Sequence, residues 1–151
     1  MSVPAPVATP LDVARAFADA YARGKAPEVA LLLAIDVHER EITPGGIVDQ
    51  RGRDAVIAEA TAFLRPYAPP EVLSHVVEPL GHLVRWSTRW RIRSNDASWL
   101  IEWHAYLTVR DGLITNLDVV CSGRVAERAA PAPTSSSLPK SGARPHANEH
   151  A

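Results

Sequence analysis

The sequence predicts an α+β domain, a curved antiparallel sheet packed against N-terminal helices, followed by a disordered tail. Three observations carry this. Apolar residues recur at helical spacing through Tyr67 and alternate with polar ones from Val72 onward. Helices come first and long strands after, without the βαβ alternation of a parallel sheet. Asp111-Gly112 lies between two alternating runs, a strong signal for a tight hairpin.

Size and composition narrow the function classes. A chain of 151 residues argues for one domain, and 46% hydrophobic with 22% charged residues supplies an ordinary globular core. The formal net charge of -1 gives no basic footprint for nucleic acid or for an anionic membrane surface. The single cysteine, Cys121, excludes an intrachain disulfide and fits a reducing cytoplasm. The N-terminal Met-Ser-Val-Pro-Ala-Pro lacks the features of a secretory signal, and no apolar run approaches transmembrane length.

The elements follow in order. Residues 1–9 are Pro/Ala-rich and read as flexible. Thr9-Pro10-Leu11-Asp12 starts a helix: Thr9 caps, Pro10 suits the first turn, and Asp12 suits the positive end of the dipole. Val13, Phe17, Ala20 and Tyr21 hold its apolar spacing, and Gly24 ends it. Pro27 opens a short second helix, which Asp36 ends. Residues 37–42 read as a short strand and 43–46 as a turn cluster. A third helix follows Gly52, with Val56, Ala60, Phe63, Leu64 and Tyr67 apolar, terminated by Pro66 and Pro69-Pro70. Strands are then expected over 72–78, 83–93, 99–110 and 113–121. In the second of these, Val84, Trp86, Thr88, Trp90 and Ile92 alternate with Arg85, Ser87, Arg89, Arg91 and Arg93. The folded domain is bounded at 10–125, and 126–151, rich in Pro, Ser and Ala, reads as disordered tail.

The phrases VARAFADAYARGK, LLLAIDVHERE, RGRDAVIAEATAFL and WHAYLTVRDGLITNLDVV, spread over residues 10–123, resemble the nuclear transport factor 2-like superfamily, in its SnoaL-like and ketosteroid-isomerase-like branch. The resemblance implies a cone, with the sheet curled around a pocket that three helices close from the concave side. It implies no single activity, because the superfamily holds isomerases, cyclases, epoxide hydrolases, dehydratases and non-catalytic modules. Function must be argued from the site.

The candidate site residues follow from alternation and from that resemblance. Val37, Glu39 and Glu41 share one face of the first strand, and His38, Arg40 and Ile42 the other. The resemblance aligns Glu41 with the general-base carboxylate of the isomerases; in an apolar pocket its pKa would rise toward a useful value. Glu39 is the second carboxylate of that face. The resemblance also aligns Phe17 and Ala105 with the isomerases' oxyanion donors, and neither side chain can donate a hydrogen bond, which argues against steroid-isomerase chemistry. Tyr21, one turn further, supplies a hydroxyl at another height or is a partly buried helix tyrosine. Trp86, Trp90 and Trp103 are either a flat aromatic pocket or plain core. Phe63 should help close the pocket. Cys121 joins the lining on the Leu117/Val119 face as a buried, unreactive thiol.

Other residues carry blander readings. Arg85, Arg89, Arg91 and Arg93 face away from the pocket with Glu102, His104 and Tyr106, where cross-strand charge pairing or a homodimer interface accounts for them. His38, His75, His82, His104, His146 and His150 lack zinc-site spacing, so no metal is expected. Asp118 reads as surface. No cofactor is expected. The leading expectation is a cofactor-free enzyme that isomerises, cyclises or dehydrates an apolar, aromatic or polyketide-like compound, with Glu41 moving a proton. The alternative is a non-catalytic ligand-binding or dimerisation module of the same fold.

Overall fold

The computed structural model describes residues 8–64 and 69–128, with Phe63 and Leu64 described in their backbone alone. The order is α1 (Pro10–Ala22), α2 (Ala26–Leu32), β1 (Leu33–Thr43), β2 (Gly46–Arg51), α3 (Arg53–Leu64), β3 (Glu71–Leu80), β4 (Leu83–Ser94), β5 (Ala97–Arg110), β6 (Leu113–Cys121) and β7 (Val125–Ala126). Among the described residues, no helix is long and apolar enough to cross a membrane.

α1 begins as the sequence indicates. The Thr9 hydroxyl accepts from the Asp12 N–H at 3.2 Å, and the Thr9 N–H donates to Asp12 Oδ2 at 3.0 Å, a reciprocal cap. Its inner stripe, Val13, Ala14, Phe17, Ala18 and Ala20, is buried against the sheet.

The sheet is curved, open and mixed, in the order β2-β1-β6-β5-β4-β3, with β7 continuing along β5 beyond the end of β6. The expectation of an all-antiparallel sheet is corrected at one pair: β1 lies parallel to β6. Alternation reports which face a residue takes and is blind to strand direction, which the connection through the helices decides. The first strand is longer than 37–42. It starts at Leu33, so Asp36 lies exposed within β1, near its register shift, and does not end α2.

The turn at 43–46 is a hairpin into β2, a strand the sequence reading lacked. β2 is short, mostly exposed and at the sheet edge, so it carries no apolar stripe to betray it. At the hairpin between β5 and β6, Asp111 and Gly112 take φ of 51° and 77°, the left-handed pair that such a two-residue turn requires.

The inward halves of the strands and the helices make one core. Phe17, Leu33, Trp86, Ile92, Ile101, Leu107 and Ile114 are all but fully buried. Each such side chain contributes about 1.5–3 kcal/mol of burial free energy. On the opposite face the arginine row is paired across strands as expected. Arg85 meets Glu78, Arg89 meets Glu102 at 2.9 Å, and Arg91 meets Glu71 at 3.1 Å. Arg91 also holds Glu127 at 2.8 Å, and β7 contains Ala126, so the packed structure runs past the boundary drawn at residue 125. The tail from 129 lies outside the described residues.

Candidate active site

Strand alternation on β1 sends Val37, Glu39 and Glu41 to the concave side. Val37 is buried in the core, and the two carboxylates come next along the strand, where the helices no longer seal the cone completely. A cleft opens there, lined by Tyr21 of α1, Glu39 and Glu41 of β1, Glu59 and Ala60 of α3, Trp90 of β4, Ile101 and Trp103 of β5, and Cys121 of β6. It measures about 410 Å³ with its open mouth.

Glu39 is only 6% exposed. Gln50, its register partner on β2, donates Nε2–H to Glu39 Oε2 at 2.5 Å. Burial nonetheless pushes the Glu39 pKa up to about 7; the Gln50 bond opposes the rise, and the nearby charges of Glu41 and Glu59 add to it. Near neutral pH both the protonated and the ionised form of Glu39 are therefore populated.

Glu41 is less buried and better supplied with donors. The Trp103 indole donates Nε1–H to Glu41 Oε1 at 3.3 Å. Burial raises the Glu41 pKa, while the bonds from Trp103 and from the Cys121 side chain hold it back. Burial also pushes the Cys121 thiol up to about 11, so it stays S–H and serves as a weak donor rather than a nucleophile. Glu41 is thus no unpaired buried carboxylate: two donors favour its ionised form.

Aromatic packing forms the other wall. Tyr21 stacks on Trp90 with centroids 5.9 Å apart and planes 6° apart, and lies 5.0 Å from Trp103. Burial, then the charges of Glu39 and Glu41, hold the Tyr21 phenol well above its ordinary pKa, so it remains a neutral donor. The indoles differ in one respect. Trp103 donates to Glu41, and Trp86 donates to His75 Nδ1 at 3.4 Å. Trp90, 2% exposed, has a buried Nε1 without a partner among the described residues. An unmatched buried donor costs about 1–3 kcal/mol.

The cleft brings together six of the sequence candidates: Glu39, Glu41, Tyr21, Trp90, Trp103 and Cys121. Phe17 and Trp86 lie behind it in the core, edge to face at 5.8 Å, and Ala105 is buried with them. The Phe63 side chain lies outside the described residues. Four contributors were not singled out from the sequence: Gln50, Glu59, Ala60 and Ile101. Glu59 reads as an ordinary exposed charge on an amphipathic helix, and Gln50 sits on the strand that alternation did not disclose. Among the described residues, no cluster of three or more His, Cys, Asp or Glu is arranged to hold a metal ion.

The model of the SnoaL-like domain matches residues 14–117. The chain belongs to the SnoaL-like domain family. The fold of this SnoaL-like chain is shared with solved structures of low sequence identity. A nuclear transport factor 2-like protein from Burkholderia thailandensis superposes with a TM-score of 0.65 at 14% identity, over 76% of this chain and 92% of that one. A protein with a ketosteroid isomerase-like fold from Catenulispora acidiphila, solved with trimethylamine, gives 0.61 at 16% identity, over 74% and 85%. An epoxide hydrolase of the LEH-like kind from M. tuberculosis gives 0.60 at 17% identity, over 75% and 82%. Comparison with curated proteins finds no match.

Proposed function

We propose that this SnoaL-like domain is a cofactor-free enzyme that moves a proton on a small, largely apolar compound. The observation that carries the reading is the pair Glu39 and Glu41, two residues apart on one face of β1, both with raised pKa in a cleft walled by Tyr21, Trp90, Ile101 and Trp103. Two carboxyls in different surroundings can divide the acid and base roles. Glu41, ionised and held by Trp103 and Cys121, takes the proton. Glu39, with a pKa of about 7, returns one or keeps the pair singly charged. Isomerisation, cyclisation and dehydration all need such a step. The cleft, about 410 Å³ with its open mouth, lies at the small end of ligand pockets and suits a compact substrate.

The test is exchange of α-hydrogens of cyclopentanone for deuterium, followed by NMR. The wild-type protein should accelerate it, and Glu41→Gln should reduce the acceleration by about 10²–10⁴. Equal rates in wild type and variant would remove the case for catalysis. The second reading is a non-catalytic module that binds a small ligand. A protein of the same fold solved with trimethylamine favours it. Binding without exchange would establish it.

A further inference from the structure

We infer that Gln50 is a positioning residue of the site: from outside the cleft lining, its side-chain amide holds one oxygen of Glu39 and leaves the other to take and give the proton. This deepens the proton-transfer reading and rests on it. Glu39 of β1 and Gln50 of β2 stand directly opposite each other in an antiparallel pair, so their side chains take the same face. Gln50 Nε2–H meets Glu39 Oε2 at 2.5 Å, the short distance of a bond to an ionised acceptor. Gln50 is not part of the cleft lining, whereas Glu39 is. Among the described residues, Glu39 Oε1 has no hydrogen-bond partner. Nor is it one of the buried side-chain atoms left without one, which are Arg85 Nε and Trp90 Nε1. Oε1 therefore keeps accessible surface, on a residue that lines the cleft.

The chemistry of the amide explains the choice of residue. The titratable groups around Glu39 are Glu41 on its own strand, Glu59 on α3, Tyr21 on α1 and Cys121 on β6, and the lining holds no Lys, Arg or His. None of them lends Glu39 a positive charge, and burial favours its neutral form. The Gln50 bond is the one influence that favours the ionised form. An apolar side chain at position 50 would leave Glu39 protonated well past neutrality, and a cation there would keep it ionised. An amide donates without carrying charge, and so keeps both forms within reach near neutral pH. Glu41 draws its donors from elsewhere, Trp103 on β5 and Cys121 on β6. The two carboxyls are thus tuned from different strands, which gives them the unlike surroundings that dividing acid and base roles requires.

The experiment compares wild type with Gln50→Met, which keeps the length of the side chain and loses the donor, and with Gln50→Lys, which makes the donor a cation. The readouts are the ¹³C carboxyl titrations of Glu39 and Glu41 and the pH profile of α-hydrogen exchange in cyclopentanone. Gln50→Met should raise the Glu39 midpoint by about 1 pH unit or more, and Gln50→Lys should lower it by about as much. The Glu41 midpoint should stay in place in both. Exchange that needs protonated Glu39 is lost as pH rises through its midpoint, so that falling limb should move up in the first variant and down in the second. A merely structural role for Gln50 does not produce shifts of opposite sign. A Glu39 midpoint unmoved by both variants, or a Glu41 midpoint that moves as far as that of Glu39, overturns the inference. If Gln50→Met fails to fold, Gln50→Lys decides. Failure of the proton-transfer reading looks different: Glu39 midpoints that move as expected in a protein whose wild type exchanges no α-hydrogen. Exchange in the wild type with unmoved midpoints sinks Gln50 and leaves the base.

Discussion

Trp103 of β5 donates its indole N–H to the Glu41 carboxylate of β1, at 3.3 Å across a sheet in which β6 separates the two strands. The bond lowers the Glu41 pKa against the rise that burial causes. Trp103→Phe should therefore raise the Glu41 pKa and shift the rising limb of the pH–rate profile upward. It should also cost about 1–2 kcal/mol in stability, from the lost bond and the smaller ring. Glu41→Gln keeps an acceptor oxygen for Trp103 and should stay within about 1 kcal/mol of wild type in urea melts. A profile that Trp103→Phe leaves in place would separate the indole from the base.

Glu39 links stability to pH. Its folded pKa, about 7, stands above the ordinary 4.5, so the folded state holds the proton more tightly than the unfolded one. The sign follows: stability is highest near and below pH 4.5 as far as this group is concerned, falls as pH rises to about 7, and is then level. The loss should be about 1–3 kcal/mol after allowance for solvent screening. Glu39→Gln should remove that slope and gain on wild type by about the same amount at pH 8. Parallel stability–pH curves for the two proteins would contradict this.

Much of the fold was legible because alternation and helical spacing are one-dimensional signals. The hairpin at Asp111-Gly112, the cap at Thr9 and the opposite faces of Trp90 and Arg89 all follow from residues close in sequence. The same logic identified Glu39 and Glu41 as sharing a face. What it could not supply was pairing. The parallel contact of β1 with β6, the edge strand β2 and the bond from Gln50 to Glu39 depend on where the chain returns. The packing of the aromatic residues was equally hidden. Nothing in the sequence says that Trp86 would be core, Trp103 a partner of Glu41 and Trp90 without an acceptor among the described residues.

The beginning of the C-terminal tail is tied down. Arg91 bonds both oxygens of Glu127 at 2.9 and 3.2 Å through Nε, and Ser98 adds a bond at 2.6 Å. These bonds lower the Glu127 pKa to about 2. A protein ending after Glu127 should melt with the full chain, whereas one ending at Arg124 should melt lower, by less at high salt. Thermal melts of the two truncations check this; a large drop for the longer one would mean that the tail contributes to the core.

The open sheet face should form a homodimer. By register, Ile47, Ile42, Val120, His104 and Ser87 make a row across it, beside Arg89, Glu102 and Tyr106, and the first three are about half exposed. An apolar row bordered by charges suits two-fold packing. Sedimentation should give a dimer at micromolar concentration, and Val120→Asp should shift it to monomer. A monomeric wild type would remove the interface.

The central claim is that β1 presents two carboxyls with raised pKa to an apolar cleft. The direct measurement is the ¹³C carboxyl titration of Glu39 and Glu41, assigned with Glu39→Gln and Glu41→Gln. The account predicts that Glu39 titrates at about 7 and that Glu41 titrates above 4.5. Two carboxyls titrating at or below 4.5, as exposed glutamates do, would contradict it.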